Sequence, residues 1–497
     1  MFDLGRPAFN FLLGGLAALG LAPVGLWPIT LLAMVLFFCG SVRDDKALRD
    51  IVWAAWWFGF GYFSIGLNWI VEPFLVDIKT QGWIAPFALV FLVGGLALFW
   101  ALGAWIGLKL HRSALSVGVG LSVMELARGY VLTGFPWALP GYIWTETPVA
   151  QGAAWIGVYG LTMVTFWACA LASDMIRWRG SILAMSLSAL VLSGVWCMGS
   201  LRFAQDHERQ ASGQIRLVQP NAAQHEKWDP NHTEKFFQRM LDYTAAEPKP
   251  EIVIWPESAL TLPLEMADHL IDRMRTSARG VPVLFGALRY SEGQYYNSLI
   301  FMSSQGVVTP IYDKHHLVPF GEYLPFEPWL TQFGLGALAD QFGGGFGTGA
   351  GPNVMTVEGL GDILPLICYE ALFPQGGLNL DVRPSYLVHV TNDAWFGRFF
   401  GPQQHLQKAQ MRAIELGLPL VRSANTGISA SIDAYGRVVS DLPLNTAGYL
   451  DVEIQTPLLI THYARFGHII NLIMVLVGLT LVIVLGRGRQ KVDLRSK

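Results

Sequence analysis

The stretch Ile363-Leu364-Pro365-Leu366-Ile367-Cys368-Tyr369-Glu370 is the point from which the fold of this 497-residue chain can be worked out. It is a short apolar run of β-forming type that ends in a cysteine, an aromatic residue and a carboxylate. Two earlier segments share this design: the apolar run 252–255 leads to Glu257, and the run 307–313 leads to Lys314. Such strands are buried in sheets, and α/β folds place their chemistry at the carboxyl ends of strands. We therefore predict that the three polar residues share one site.

The composition indicates a membrane protein. The chain is 52% hydrophobic and 14% charged, and its mean hydropathy is +0.39. Its net charge of −3 gives no indication of nucleic-acid binding. Apolar stretches of about 20 residues can each cross a bilayer core. They lie at about 1–22, 24–40, 51–71, 84–108, 114–134, 149–173, 181–199 and 467–485. We therefore predict a multi-span α-helical membrane domain with eight transmembrane helices.

The basic residues predict the orientation of these helices. If the N-terminus is cytoplasmic, the cytoplasmic segments hold thirteen basic residues and the short external loops hold only Lys79. The thirteen are Arg6, Arg43, Lys46, Arg49, Lys109, Arg112, Arg177, Arg179, Arg487, Arg489, Lys491, Arg495 and Lys497. Because cytoplasmic loops are enriched in Lys and Arg, this bias places the large polar segment on the outer face and both termini inside.

The polar segment has the pattern of a layered α/β domain. Helical patterns near 231–246, 264–279 and 403–417 alternate with short β-type runs. The runs lie at 215–218, 251–255, 282–287, 298–302, 307–312, 363–367, 385–390, 428–433 and 449–454. We predict three parts: a membrane domain with seven helices (1–200), a catalytic domain (201–465), and a last transmembrane helix with a basic tail (466–497).

Several motifs carry a family resemblance. Trp255-Pro256-Glu257, Asp313-Lys314-His315 and Cys368-Tyr369-Glu370 resemble the carbon–nitrogen hydrolase (nitrilase) superfamily. With the predicted spans, Glu125–Gly129 (ELARG) and Asn392–Gly397 (NDAWFG), nearly the whole chain resembles the apolipoprotein N-acyltransferase family.

The resemblance implies a nitrilase-like αββα sandwich on an eight-helix base in the bacterial inner membrane, with the catalytic domain in the periplasm. It also implies the reaction. An acyl chain moves from a phospholipid, with phosphatidylethanolamine as the donor, through a cysteine thioester to the α-amine of a diacylglyceryl-cysteine at an apolipoprotein N-terminus. We expect a monomer that needs no cofactor or metal and binds no nucleic acid.

The chemistry of the three residues fits this reaction. A thiol of ordinary pKa is only a few per cent thiolate at neutral pH, so Cys368 needs a base to become a nucleophile, and Glu257 can act as that base. Lys314 supplies positive charge where an oxyanion develops. By resemblance, four further residues support the site: Glu322, Tyr369, Glu370 and Trp228.

Apolar residues in two loops are candidates for a lid or for substrate contacts. They are Trp329, Phe333, Trp395, Phe396, Phe399 and Phe400. The glycine-rich segment 334–351 would provide hinge freedom for such a lid. The alternative is that these aromatics pack inside the sandwich.

Other interpretations remain open at this point. The chain could be a membrane-anchored amidase that uses water as acceptor, or a non-catalytic lipoprotein-binding component. Glu125 and Arg128, three residues apart on one predicted span, could neutralise each other at a helix contact or act near lipid headgroups. His315 and His316 are adjacent, and adjacent side chains on a strand point to opposite faces, so a metal site is not predicted there.

Overall fold

The computed structural model describes residues 7–43, 46–177, 182–204, 213–325, 345–378, 380–453 and 455–493. The chain divides into two compact units that alternate along the sequence. The first unit comprises Met1–His207, Phe399–Leu416 and Ile460–Lys497, and the second comprises Glu208–Arg398 and Gly417–Leu459.

The helices of the described residues, in chain order, are α1 (Pro7–Ala18), α2 (Trp27–Ser41), α3 (Leu48–Gly66), α4 (Glu72–Leu75), α5 (Ile78–Gln81), α6 (Ala85–Leu110), α7 (Ala114–Arg128), α8 (Ala153–Arg177), α9 (Ile182–Phe203), α10 (Gln224–Lys227), α11 (Pro230–Ala245), α12 (Asp268–Ala278), α13 (Gly401–Leu416), α14 (His462–Phe466) and α15 (His468–Asp493). An α-helix lies at each of the eight predicted spans, namely α1, α2, α3, α6, α7, α8, α9 and α15.

By length and composition, two segments of the described residues are apolar enough to cross a membrane, Ile78–Leu110 and Pro148–Ser173. Three shorter apolar helices lie at Pro7–Ala18, Trp27–Ser41 and His468–Val484. The eight-span arrangement is therefore not established by the helices alone.

Glu125 and Arg128 form a buried ion pair on α7. Both side chains are about 1% exposed, and Arg128 Nε donates to Glu125 Oε1 at 3.1 Å. Trp100 Nε1 on α6 also donates to Glu125 Oε1, at 2.6 Å. Arg128 further donates to the backbone oxygens of Phe135 and Trp137. Of the two open interpretations, these contacts support mutual neutralisation at a helix contact.

The helix α13 belongs to the first unit, although the sequence predicts it as part of the catalytic domain. Its carboxylate Glu415 accepts a 2.7 Å hydrogen bond from the backbone N–H of Val158. Val158 directly follows Gly157, where α8 is interrupted by a non-helical residue with φ +66°. Trp137 Nε1 donates to Gln404 Oε1 of the same helix at 2.5 Å. Helix α13 thus binds the interrupted helix α8 through buried polar groups.

The second unit contains two sheets built from β1 (Gln214–Gln219), β2 (Ile252–Ile254), β3 (Val283–Ser291), β4 (Gln294–Met302), β5 (Val308–Asp313), β6 (Met355–Val357), β7 (Gly361–Ile367), β8 (Tyr386–Thr391), β9 (Leu420–Ala424), β10 (Ser429–Ile432), β11 (Val438–Leu442) and β12 (Gly448–Glu453). The strand orders are β12-β1-β2-β3-β4-β5 and β11-β10-β9-β8-β7-β6. In each sheet three strands are parallel, β1-β2-β3 in one and β7-β8-β9 in the other, and the outer strands pair antiparallel.

The two sheets pack face to face through a shared apolar core. Ile252 and Leu284 of one sheet contact a cluster that includes Ile363 and Val388 of the other, and all four are fully buried. A second core lies between the first sheet and helices α11 and α12. Each fully buried side chain of this size contributes about 1.5–3 kcal/mol of burial free energy. The second unit is therefore an α/β structure in which helices, first sheet and second sheet form successive layers.

All nine predicted strands are present, and the described residues form three others that were not predicted. These are β6, β9 and β11. Strand β9 (LVRSA) was missed because it carries a charged residue, Arg422, which the structure nevertheless buries completely. Its neighbour β8 is buried at every position, as expected for a central strand of a parallel array.

Candidate active site

Glu257, Lys314 and Cys368 each follow a strand, and the structure brings them together. Glu257 lies three residues after β2, Lys314 directly follows β5, and Cys368 directly follows β7. Lys314 Nζ lies 3.7 Å from Glu257 Oε1. The side chain of Cys368 is close enough to both for their charges to affect its ionisation. All three side chains are buried, so these charges act with little screening by water.

Cys368 sits at a sharp turn between β7 and the 3₁₀ segment Cys368–Leu372. Its backbone φ is +51°, in the left-handed region that non-glycine residues rarely adopt. Burial raises the pKa of its thiol well above the usual range, and the negative charge of Glu257 raises it further, while Lys314 acts in the opposite direction. The resting thiol is therefore protonated, and a base must remove its proton as it attacks.

Lys314 is held by two carboxylates. Its Nζ donates to Glu322 Oε1 at 2.8 Å, and the other oxygen of Glu322 accepts the backbone N–H of Val318 at 2.8 Å. Burial by itself lowers the pKa of Lys314, but the charges of Glu322 and Glu257 outweigh it, so that the pKa lies above its ordinary value. Lys314 therefore keeps its positive charge at neutral pH.

The Glu257 carboxylate is fixed by two donors besides Lys314. Asn297 Nδ2 on β4 donates to Oε1 at 2.8 Å, and the backbone N–H of Asn392 donates to Oε2 at 2.8 Å. Neither asparagine was predicted as a site residue. Asn392 begins the motif Asn392–Gly397, but its contact comes from the backbone, which no residue identity reveals.

Glu370 connects the cysteine segment to the lysine segment. Its Oε2 accepts the backbone N–H of Ile367 at 2.8 Å, and its Oε1 accepts the backbone N–H of His315 at 2.8 Å. Tyr312 Oη donates to both oxygens at 2.9 Å. Burial tends to raise the pKa of Glu370, but hydrogen bonds and charge from His315, with the Ile367 amide, hold it below its ordinary value. An ionised Glu370 thus fixes the residues next to Lys314 and Cys368.

The other predicted support residues differ in their surroundings. Tyr369 is buried against the rings of His316 and Phe373, with centroid distances of 5.7 and 5.1 Å. Trp228 is 45% exposed, so its indole is available to a substrate. Among the described residues, no group of three or more His, Cys, Asp or Glu side chains is placed to hold a metal ion.

Lys227 is a further buried residue at this site, and it was not predicted from the sequence. Its Nζ donates to the backbone oxygen of Glu257 at 3.3 Å and lies 5.6 Å from the centre of the Trp228 ring. Burial lowers the pKa of Lys227 to about 8, although the nearby Glu257 carboxylate opposes this effect. In the sequence QHEKWD it has the appearance of an ordinary surface lysine.

The lid candidates fall into three groups. Trp329 and Phe333, with the glycines 334–344, lie outside the described residues. Trp395 and Phe399 are exposed, whereas Phe396 packs against the core between the sheets. Phe400 is only 7% exposed, with its ring 4.7 Å from that of Phe399, so for this residue the structure favours the alternative of packing over a lid.

Comparison with known proteins agrees with this architecture. Residues 13–171 match the family described as apolipoprotein N-acyltransferase N-terminal domain, and residues 214–461 match carbon-nitrogen hydrolase. Proteins named apolipoprotein N-acyltransferase from Rhodopseudomonas palustris and Caulobacter vibrioides are each 37% identical to this chain. The alignments cover 97% and 95% of this chain and 95% and 93% of the relatives. A relative of the same name from Brucella melitensis is 35% identical over 91% of this chain and 88% of its own length. The chain therefore belongs to the apolipoprotein N-acyltransferase family.

Proposed function

We propose that this protein transfers a fatty acyl chain from a membrane phospholipid to the α-amino group of the N-terminal diacylglyceryl-cysteine of apolipoproteins. The observation that carries the proposal is the buried cluster of Cys368, Glu257 and Lys314 at strand ends in a chain of this family. Phosphatidylethanolamine is the proposed donor, and the enzyme acts as a monomer.

In the first half-reaction, Cys368 Sγ attacks the ester carbonyl carbon of the phospholipid while Glu257 takes the thiol proton. Lys314 Nζ stabilises the oxyanion of the tetrahedral intermediate. The ester C–O bond then breaks, Glu257 returns the proton to the leaving alkoxide, and a lysophospholipid departs. The raised pKa of the thiol makes Glu257 necessary for this step, and the fixed charge of Lys314 needs no reorganisation as the oxyanion forms.

In the second half-reaction, the apolipoprotein amine attacks the thioester carbonyl. Glu257 accepts a proton from the amine, the C–S bond breaks, and the proton passes to the cysteine sulfur. The result is an amide on the acceptor and a free Cys368 thiol, so the cycle is ping-pong.

We propose that Glu322 keeps Lys314 in place and that Glu370 and Tyr369 fix the turn at Cys368. The exposed rings of Trp228, Trp395 and Phe399 are the proposed substrate contacts.

The location follows from the substrate. Moving a palmitoyl chain from lipid into water costs on the order of 12 kcal/mol, at about 0.8 kcal/mol per CH₂, so the thiol must work at the level of the headgroups. We propose eight membrane spans, with both termini in the cytoplasm and the hydrolase-like unit in the periplasm. The helices at all eight apolar stretches and the bias of basic residues support this arrangement.

The test is to trap the acyl-enzyme. Purified full-length protein incubated with phospholipid should gain the mass of one acyl chain on Cys368, and neutral hydroxylamine should remove it. Adding a diacylglyceryl peptide with a free N-terminus should discharge the thioester onto the peptide amine.

Three variants accompany the test. Cys368→Ala should carry no acyl group, and Glu257→Gln should acylate far more slowly, whereas Cys197→Ala, which changes an exposed cysteine of the first unit, should behave as wild type. Fatty acid released at the same rate with and without peptide would instead identify a hydrolase that uses water. Equal acylation of all variants would refute the assigned roles.

A further inference from the structure

We propose that His389 is a positioning residue that holds the turn of Cys368 through the nucleophile's own carbonyl oxygen. The proposal rests on the proposed function only in that it takes Cys368 to be the nucleophile.

His389 lies on β8 and is fully buried. Its Nε2 is 3.2 Å from the backbone oxygen of Cys368. Its Nδ1 is 2.8 Å from Arg422 Nη1 on the neighbouring strand β9, while the same Nη1 lies at a longer 3.4 Å from Nε2. A guanidinium can only donate hydrogen bonds, so Nδ1 must accept and the ring proton must be on Nε2. His389 Nε2–H therefore donates to the Cys368 carbonyl.

Arg422 is itself firmly held. Its Nη2 donates to Asp393 Oδ2, its Nε donates to the backbone oxygen of Ile428 at 3.1 Å, and both Arg422 and Asp393 are fully buried. The other oxygen of Asp393 accepts the Thr391 hydroxyl at 2.9 Å. That hydroxyl is also within hydrogen-bonding reach of the Cys368 thiol. The buried ion pair of Arg422 and Asp393 is thus connected to the carbonyl of Cys368 through His389 and to its thiol through Thr391.

This support matters because the backbone of Cys368 is in the left-handed region, at φ +51°. A non-glycine residue stays in that conformation only when its surroundings fix it. On the upstream side, Glu370 holds the N–H of Ile367. On the downstream side, His389 holds the carbonyl of Cys368 itself. Without the second bond, the peptide that follows Cys368 can rotate, and Sγ moves away from Glu257.

Two isosteric variants separate the two hydrogen bonds of the imidazole. The amide of His389→Asn occupies the position of Nδ1, so it keeps an acceptor for Arg422 and loses the donor to Cys368. The amide of His389→Gln reaches the position of Nε2 and keeps that donor. Loss of one such hydrogen bond changes a rate by about 5- to 10-fold.

We expect His389→Asn to slow alkylation of Cys368 by iodoacetamide, and acylation at saturating phospholipid, by about 5- to 10-fold each, with KM unchanged. His389→Gln should stay within about 2-fold of wild type in both rates, even where its melting temperature falls as much as that of the Asn variant. Equal slowing by both variants, or lower melting temperatures with unchanged rates, would overturn the proposal, since His389 would then only fill the core.

A spectroscopic measurement on the wild-type protein does not depend on the folding of a variant. In ¹⁵N-histidine-labelled protein, the imidazole signals that His389→Gln removes should belong to an Nε2–H tautomer. An Nδ1–H tautomer would contradict the proposed bond. Alkylation rates in the expected order, together with failure of phospholipid to acylate wild type, would support the role of His389 and refute the proposed acyl donor.

Discussion

Replacing Lys227 with methionine should stabilise the folded protein at neutral pH while slowing acyl transfer. Lys227 is 5% exposed, and the one hydrogen bond found for its ammonium within the described chain is to the backbone oxygen of Glu257. Its pKa is lowered from 10.5 to about 8 because burial disfavours the charged form. A charged lysine in this environment destabilises the folded protein. The methionine side chain has a similar length and no charge, so it removes this destabilisation.

The size of the effect follows from the pKa. A fall from 10.5 to about 8 corresponds to about 3 kcal/mol of destabilisation when the lysine is charged in both the folded and the unfolded chain. Methionine removes this cost but also removes a hydrogen bond that contributes about 1 kcal/mol. The Lys227→Met variant should therefore be about 2 kcal/mol more stable than wild type at pH 7.

The pH dependence has a definite sign. Below pH 8 both folded and unfolded wild type carry the charge, so the advantage of the variant is complete. Between pH 8 and 10.5 the folded wild type loses its proton before the unfolded chain does, so wild type gains stability relative to the variant. The difference should shrink steadily across this range.

The assay is thermal unfolding of full-length protein in detergent micelles between pH 6 and 10, together with the rate of acyl-enzyme formation. Lys235→Met, which changes an exposed lysine on the next helix, is the matched control and should leave both quantities unchanged. Acylation by Lys227→Met should fall several-fold because the backbone of Glu257 loses a support. A variant less stable than wild type at pH 7, or a difference that does not vary with pH, would refute the reasoning.

Three other changes have defined outcomes. Glu370→Gln should cost about 3 kcal/mol, because an amide cannot accept all of the N–H donors that now meet the carboxylate. Since the pKa of Glu370 lies below its ordinary 4.5, this stabilisation is present above pH 4.5 and is lost as the pH falls below it, so wild type and variant should converge in acid. Phe400→Ser should cost about 3–5 kcal/mol, whereas Phe399→Ser should melt like wild type and slow acylation only from phospholipid vesicles. A reporter active only in the cytoplasm should work after Lys497 and fail within 213–325.

Each of these has a contrary result. A Glu370→Gln variant that melts like wild type would mean that the network around this carboxylate is not stabilising. If Phe399→Ser slows transfer equally from a short, water-soluble thioester, the ring has no part in lipid uptake. A reporter that is active in the hydrolase-like unit would reverse the proposed orientation.

Nine of the twelve strands in the described residues, and the positions of Glu257, Lys314 and Cys368 after three of them, could be predicted because both depend on local sequence. Apolar runs identify buried strands, and a polar residue that follows such a run lies near the carboxyl end of that strand. Lys227, Asn297 and His389 could not be found in this way. Their roles depend on which side chains meet across strands that are far apart in sequence, and burial of a polar residue is visible only once its partner is known.

Helix α13 is a second case in which the sequence does not predict that polar residues are buried. Its sequence GPQQHLQKAQMRAIEL is rich in polar residues, and the sequence predicts a helix near 403–417 within the catalytic domain. The structure buries Gln404, Lys408 and Glu415 completely. Glu415 Oε1 accepts the N–H of Val158, and Oε2 forms an ion pair with Arg412 of the same helix at 2.6 Å. Lys408 Nζ lies 4.6 Å from the ring centres of Trp137 and Tyr142, so these polar residues are buried against partners in the first unit.

Because α13 interrupts the second unit in sequence, it affects which fragments of the protein can be produced and in what order the unit can assemble. The hydrolase-like unit is discontinuous, because residues 399–416 leave it and the chain returns at Gly417 to build the last four strands. A fragment cut at 208 and 459 would carry α13 without the helices against which its polar side chains are buried. Such a fragment should therefore aggregate rather than dissolve. During synthesis, β9 to β12 can complete their sheets only after α13 has been made, so assembly of the catalytic unit must wait for a segment that belongs to its neighbour.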